Sequence, residues 1–149
     1  MSEILIGTEA VVNGVVTRHA LARWYRPFYP NVHAPRRRQL TVSDRALGAW
    51  LWSKRRAIVT GVAASALHGA EWVDADIDIE VIHRCPRPPA GIIARNERIA
   101  EDEITCVDGI SVTTVARTAL DLGRYQSRGQ AIARLDALMR AAPFSSEEV

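Results

Sequence analysis

Apolar side chains recur along this chain with two periods, and the changes between them predict its elements. Ile132, Leu135, Leu138 and Met139 fall at i, i+3, i+6 and i+7, one face of a helix over about 128–140 that ends before Pro143. Ala46, Leu47, Trp50 and Leu51 predict a helix over 44–53, with Ser43 as its N-cap. Asp44 sits at the positive end of that helix, and Lys54, Arg55 and Arg56 complement its negative end. A third helix starts at a Thr113 or Thr114 cap and runs through Leu122, closed by Gly123. Over 76–83 the period falls to two: Ile77, Ile79 and Val81 alternate with Asp76, Asp78 and Glu80, predicting a half-exposed strand. Ile58-Val59, 92–95, 104–107 and 110–112 supply further short strands, and Asp108-Gly109 joins the last two as a hairpin. Ala63 to His68 reads as a small helix closed by Gly69.

The first 38 residues read differently. Thr8 caps a short helix to Asn13, with Gly14 past its end, and Thr17 caps a second over 18–25. Leu21, Trp24 and Tyr25 share one face of that second helix, so Arg18, Ala22 and Arg23 point outward. Pro27, Pro30 and Pro35 forbid a further helix, and extended arms around Pro30-Asn31 make a wing. The expected class is therefore α/β, of the α+β kind. A reduced N-terminal winged helix-turn-helix (1–38) precedes a small mixed sheet with flanking helices (39–142). In 143–149, Ser145 and Glu148 have the spacing of a capping box, with Phe144 placed as a hydrophobic staple. Two expectations follow: the start of an unfinished helix, hence a shortened version of a longer protein, or a polar tail.

Charge changes the picture. Met1 to Arg56 hold ten Arg or Lys against three Asp or Glu, a formal +7. Ala57 to Ile110 hold four against ten, a formal −6, so the net +2 conceals a dipolar chain. Such asymmetry points the basic part toward an anionic partner. No run approaches the roughly 18 uncharged apolar residues of a membrane span, and no leader pattern opens the chain, so a cytoplasmic location without membrane contact is expected. Cys85 and Cys106 form no ligand cluster, and neither a metal nor a cofactor is expected.

Two constellations carry candidate chemistry. Arg18, Arg23, Arg26 and the run Arg36, Arg37, Arg38 can meet phosphates along one face; the bland alternative is a solvated basic surface. Gly61 to Gly69 followed by Asp76-Ile-Asp78-Ile-Glu80 resembles the nucleotidyltransferase pattern, in which carboxylates at i and i+2 of a strand hold Mg²⁺. Val62 departs from that pattern, and Glu103 and Asp108 are the candidate third acids; Asp76 and Asp78 would be the metal ligands in this alternative only. The plainer reading is the wet face of an amphipathic strand. His68 reads as a helix-end cap. The tryptophans read as core or interface anchors, with one of Trp50 and Trp52 exposed, because two residues apart on a helix they cannot share a face.

The helix pair with its wing, Ser65-Ala-Leu-His68-Gly69, and Val112-Thr-Thr-Val-Ala-Arg117-Thr118-Ala-Leu-Asp121-Leu together resemble AbiEi-type antitoxins of type IV toxin-antitoxin systems. They look closest to actinobacterial relatives that carry this region before a Vsr-like endonuclease domain, which these residues lack. The resemblance implies a winged helix that binds its own promoter DNA. It also implies a following domain that helps neutralise a nucleotidyltransferase-like toxin without a stable complex, and no enzyme activity. Carried onto this chain, the recognition helix matches Thr17 to Tyr25, with Arg18, Ala22 and Arg23 as the readers and Arg26 as a backbone contact; Arg36, Arg37 and Arg38 join the DNA-binding set on their charge. Asn31-Val32-His33 stands where the family reads Gly-Val-Tyr, and Asn tolerates the left-handed turn. His68, Gly69, Arg117, Thr118 and Asp121 are structural positions, with Arg117 and Asp121 an ion pair at i and i+4. The alternatives are a nucleotidyltransferase-like domain, active or degenerate, and an inactive remnant of a longer endonuclease-linked protein.

Overall fold

The structure, a computed structural model, describes residues 3–144 and 147–149. Three short strands, β1 (Leu5–Ile6), β2 (Tyr25–Tyr29) and β3 (Val32–Pro35), form an antiparallel sheet in the order β1-β3-β2. Helices α1 (Gly7–Val12) and α2 (Arg18–Trp24) fill the chain between β1 and β2. Thr17 caps α2 as its sequence predicts, accepting the Ala20 N–H at 3.0 Å. Thr8 does not cap α1. That helix starts two residues earlier, after Ile6, and the Thr8 hydroxyl instead accepts from the Asn31 amide at 2.9 Å.

Helix α3 (Val42–Trp52) begins at Thr41, not Ser43. Thr41 and Asp44 exchange reciprocal bonds of 3.1 Å, a complete capping box. Three residues after Ser43 stands Ala46, which cannot return such a bond. The helix packs against both sheets, so both of its indoles are covered. Trp50 and Trp52 lie partly buried against the core, contrary to the expectation that one is exposed, and the Trp52 ring meets His83 edge-on at 5.7 Å. Trp72 is exposed, and so is Trp24, expected on the inner face with Leu21 and Tyr25: α2 ends at Trp24 and Tyr25 opens β2, so that face is never completed.

The second sheet has β4 (Ile58–Thr60), β5 (Ile79–Ile82), β6 (Ile92–Arg95), β7 (Ile104–Val107) and β8 (Ile110–Thr113) in the order β6-β5-β4-β8-β7. The β5/β6 and β4/β8 pairs are parallel and the β4/β5 and β7/β8 pairs antiparallel, the mixed sheet expected. The strand predicted over 76–83 is shorter and not half-exposed. Asp76 and Asp78 precede β5 on an exposed turn, and all four residues of β5 are buried. Its position between β4 and β6, covered by α3 and α4 (Gly61–Leu67), explains the burial.

Helix α5 (Val115–Tyr125), capped by Thr114, runs through Gly123 and does not end there. Helix α6 (Arg128–Ala141) docks through Ala131 and Leu138, which leaves Ile132 and Met139, expected on its inner face, exposed. Phe144 packs on the cluster of Val62, Ala119, Leu122 and Leu138, while Ser145 of the predicted capping box lies outside the described residues. The main core runs from Ile4, Tyr29 and Val32 through Ala46 and Ala49 to Val59, Val81 and Val112, so it is shared by both sheets. Among the described residues, no helix is long and apolar enough to cross a membrane.

The cap assignment is testable by urea unfolding. Thr41→Ala should cost about 1–2 kcal/mol and Ser43→Ala less than about 0.5 kcal/mol; the reverse order would return the cap to Ser43.

Candidate functional site

Helix α2 buries no side chain. Arg18, Ala22 and Arg23 are exposed along it, and the Arg23 guanidinium lies over the exposed Trp24 ring at 5.0 Å. The helix is held from behind. Arg36, just past β3, donates to the carbonyls of Ala22 at 2.8 Å and Arg23 at 3.0 Å, and its own N–H reaches the Trp24 carbonyl at 2.9 Å. Those bonds satisfy the end of α2 with a cation and fasten the hairpin to it. A shallow hollow of about 310 Å³ between α2 and the hairpin is lined by Arg18, Ala22, Pro27, His33 and Arg36 among others.

The remaining predicted contact residues divide by what they touch. Arg26 donates to the Arg38 carbonyl at 3.2 Å. Arg38 grips both oxygens of Asp44, at 2.9 and 3.1 Å, and reaches Glu3 at 3.1 Å. Burial opposes ionisation of Asp44, but its bonds from Arg38 and Thr41 outweigh that and hold its carboxyl below the ordinary value. Thr17 serves as a cap. Among the described residues, the Arg18 and Arg37 side chains enter no hydrogen bond or ion pair, and with Arg23 they form the free cations of this face.

Asn31 does more than turn the hairpin. Its φ of 60° is left-handed, as expected. Its side chain also brackets Thr8, accepting the Thr8 N–H at 3.1 Å and donating to its hydroxyl, and its carbonyl accepts the Gly7 N–H at 2.8 Å. The hairpin tip thus rests on the first turn of α1, where a Cβ on Gly7 would lie 2.7 Å from the His33 ring. Burial there pushes the His33 imidazole below its ordinary pKa, against an opposing backbone bond from Asn31. Arg55, read as a helix-end charge, instead makes a bidentate pair with Glu9 of α1 at 3.0 Å.

The acidic segment does not form the two-carboxylate face. Glu80 turns inward, where it pairs with Arg95 at 2.7 Å and accepts the Val62 N–H at 3.2 Å. Gly61, at φ 65°, lets the carboxyl come so close that a Cβ would lie 1.8 Å from its Oε2. The glycine that suggested a nucleotide-binding turn therefore accommodates a carboxyl of the protein's own. Asp108 sits in the β7–β8 turn, and Glu103 is bound to Arg117. Among the described residues, no three His, Cys, Asp or Glu are placed to hold a metal.

Arg117 and Asp121, both buried on α5, meet at 3.1 Å. Asp121 accepts from the Thr60 hydroxyl of β4 at 2.6 Å, and Thr113 of β8 bonds Thr118 at 2.7 Å. Arg117 extends to Glu103 at 3.0 Å and lies 3.8 Å from Glu97. The Arg117 bond draws the Glu103 carboxyl below its ordinary pKa. Glu97, also bound by Arg124 at 2.5 Å and by the Tyr125 hydroxyl at 2.6 Å, is drawn down in spite of its burial. His68 reaches the Thr113 carbonyl at 2.7 Å, and Gly69 follows with φ 102°. His68, Arg117, Thr118 and Asp121 thus tie α4 and α5 to the sheet.

A family model for the AbiEi antitoxin C-terminal domain matches residues 32–149. That span begins inside the hairpin and includes Arg36 to Arg38, His68, Gly69, Arg117, Thr118 and Asp121, whereas Thr17 to Arg26 precede it. No curated protein matches the chain.

Gly61→Ala tests the close approach to Glu80. It combines overpacking with a left-handed backbone and should lower unfolding stability by about 2–4 kcal/mol; a loss below about 0.5 kcal/mol would show that Glu80 is free to move away.

Proposed function

The chain belongs to the AbiEi antitoxin family, and from that premise we propose that it is a DNA-binding regulator and antitoxin of a type IV toxin-antitoxin system, with no catalytic activity of its own. The observation that carries the reading is the free cationic face of α2. Arg18 in its first turn and Arg23 in its last stand clear of partners that could neutralise them, and Ala22 between them is small enough to let the helix approach a groove floor. In this reading α2 is the recognition helix of a reduced winged helix. Residues 27–35 are the wing, and Arg37 adds a backbone contact beside it. Arg36 acts indirectly, fixing the wing against α2.

The DNA is the protein's own promoter region, bound in the cytoplasm. The toxin is nucleotidyltransferase-like, as the family resemblance implies, and the 39–142 region opposes it without a stable complex. The actinobacterial relatives that continue into a Vsr-like endonuclease domain belong to the same reading. The nucleotidyltransferase alternative has no comparable support, because Glu80 is bound to Arg95 while Asp76 and Asp78 stand apart on a turn.

Gel-shift titration against the gene's upstream DNA at several salt concentrations tests the proposal. Specific binding should fall steeply with salt, and Arg18→Ala or Arg23→Ala should each weaken it by about 1–3 kcal/mol, roughly 5- to 150-fold. Absence of a shifted band at low salt, or full affinity in both variants, would refute it.

A further inference from the structure

The two guanidiniums of α2 face different surroundings. Arg18 and Ala22, at i and i+4, share the edge of the helix that looks onto the hairpin, and both line the hollow of about 310 Å³ there. Pro27, His33 and Arg36 line it from the hairpin side. Arg23 lines no part of it, and its guanidinium lies over the Trp24 ring instead.

Arg36 donates from Nε and Nη2 to the carbonyls of Arg23 and Ala22, which fixes its guanidinium in place. Its Nη1 enters no hydrogen bond among the described residues. No acid lines the hollow. Two cations therefore flank it, one anchored and one on an exposed side chain, with no carboxylate beside them to neutralise their charge. The space is many times what a single water needs, so a phosphodiester can enter. When a recognition helix lies in a groove with its wing alongside, the edge between helix and wing meets the sugar-phosphate strand that borders the groove, while the outer face meets the bases. We propose that this hollow seats one phosphate of the DNA backbone, held by Arg18 and Arg36, so that Arg18 positions α2 on the duplex and does not read a base. The inference rests on the DNA-binding reading and narrows it, leaving base reading to the rest of α2.

Gel-shift titration of the wild type, Arg18→Ala and Arg18→Lys over a range of salt, against the upstream duplex and a scrambled duplex of equal length, tests it. Arg18 is exposed and makes no bond among the described residues, so both variants should keep the wild-type far-UV circular dichroism. Arg18→Ala should weaken binding to both duplexes by the same factor, about tenfold, and reduce the salt slope by about one. Arg18→Lys should keep the slope and the preference for the upstream duplex, because a phosphate accepts an ammonium as a point charge. A bidentate base contact would not survive that exchange. A loss confined to the upstream duplex, an unchanged slope in Arg18→Ala, or a lost preference in Arg18→Lys would overturn the inference while leaving DNA binding intact. A wild type that shifts neither duplex at low salt would overturn both readings. If pyrophosphate then moved the Arg18 and Arg36 Nε–H resonances, the hollow would belong to a free phosphate compound.

Discussion

The Arg117–Asp121 pair is the interaction on which the larger half of the molecule depends. Both side chains are buried on α5, and between them they reach β4 through Thr60, the entry to β7 through Glu103, and the stretch after β6 through Glu97. The strand order β6-β5-β4-β8-β7 scatters those segments across the sheet, and one helix gathers them. Burying two charges is costly, and such a pair stabilises only where further hydrogen bonds satisfy it. Here Arg117 has three acidic neighbours, and Asp121 accepts from Arg117 and Thr60. Removing Arg117 would leave the buried Asp121 with the Thr60 hydroxyl and Arg124 at 3.5 Å, at a cost of about 3–5 kcal/mol, whereas removing Asp121 would leave Arg117 its Glu103 partner.

The same accounting divides the chain's other charges into bound and free. Arg36, Arg38, Arg55 and Arg95 each close a specific gap: the end of α2, the start of α3, the contact with α1, and Glu80. Much of the formal excess of cations in the first 56 residues is therefore internal bonding. What remains free on α2 is small and local, namely Arg18 and Arg23, with Arg37 at the exit of the hairpin. A compact set of unbound guanidiniums on a helix held rigidly from behind meets the requirement for phosphate and base contacts better than a diffuse positive charge does. Three of the ten acids in the middle of the chain are likewise neutralised: Glu80, Glu97 and Glu103 pair with Arg95, Arg124 and Arg117.

Local signals were legible in the sequence and long-range partners were not. The Thr17 cap, the turn at Asn31 and the outward direction of Arg18, Ala22 and Arg23 follow from spacing within a few residues, so the candidate face could be read in advance. The start of α3 was misread because two hydroxyl residues, Thr41 and Ser43, compete as caps, and the Asp44 that decides between them lies three residues past the first. Alternation suggested that Glu80 was wet, because Arg95, its partner, lies on the neighbouring strand fifteen residues on. Periodicity found α6 but could not tell which apolar residues faced inward, since Ala131 and Leu138 dock it and Ile132 and Met139 do not. The bonds of Asn31 to Thr8 span twenty-three residues and left no local trace.

Amide chemical-shift mapping of the labelled chain during titration with its own upstream duplex addresses this division of labour most directly. Shifts should concentrate in α2, the hairpin tip and Arg37, with β5, the turn carrying Asp76 and Asp78, and the Arg117 cluster unmoved. Shifts centred on that turn or on α4, with α2 silent, would contradict it.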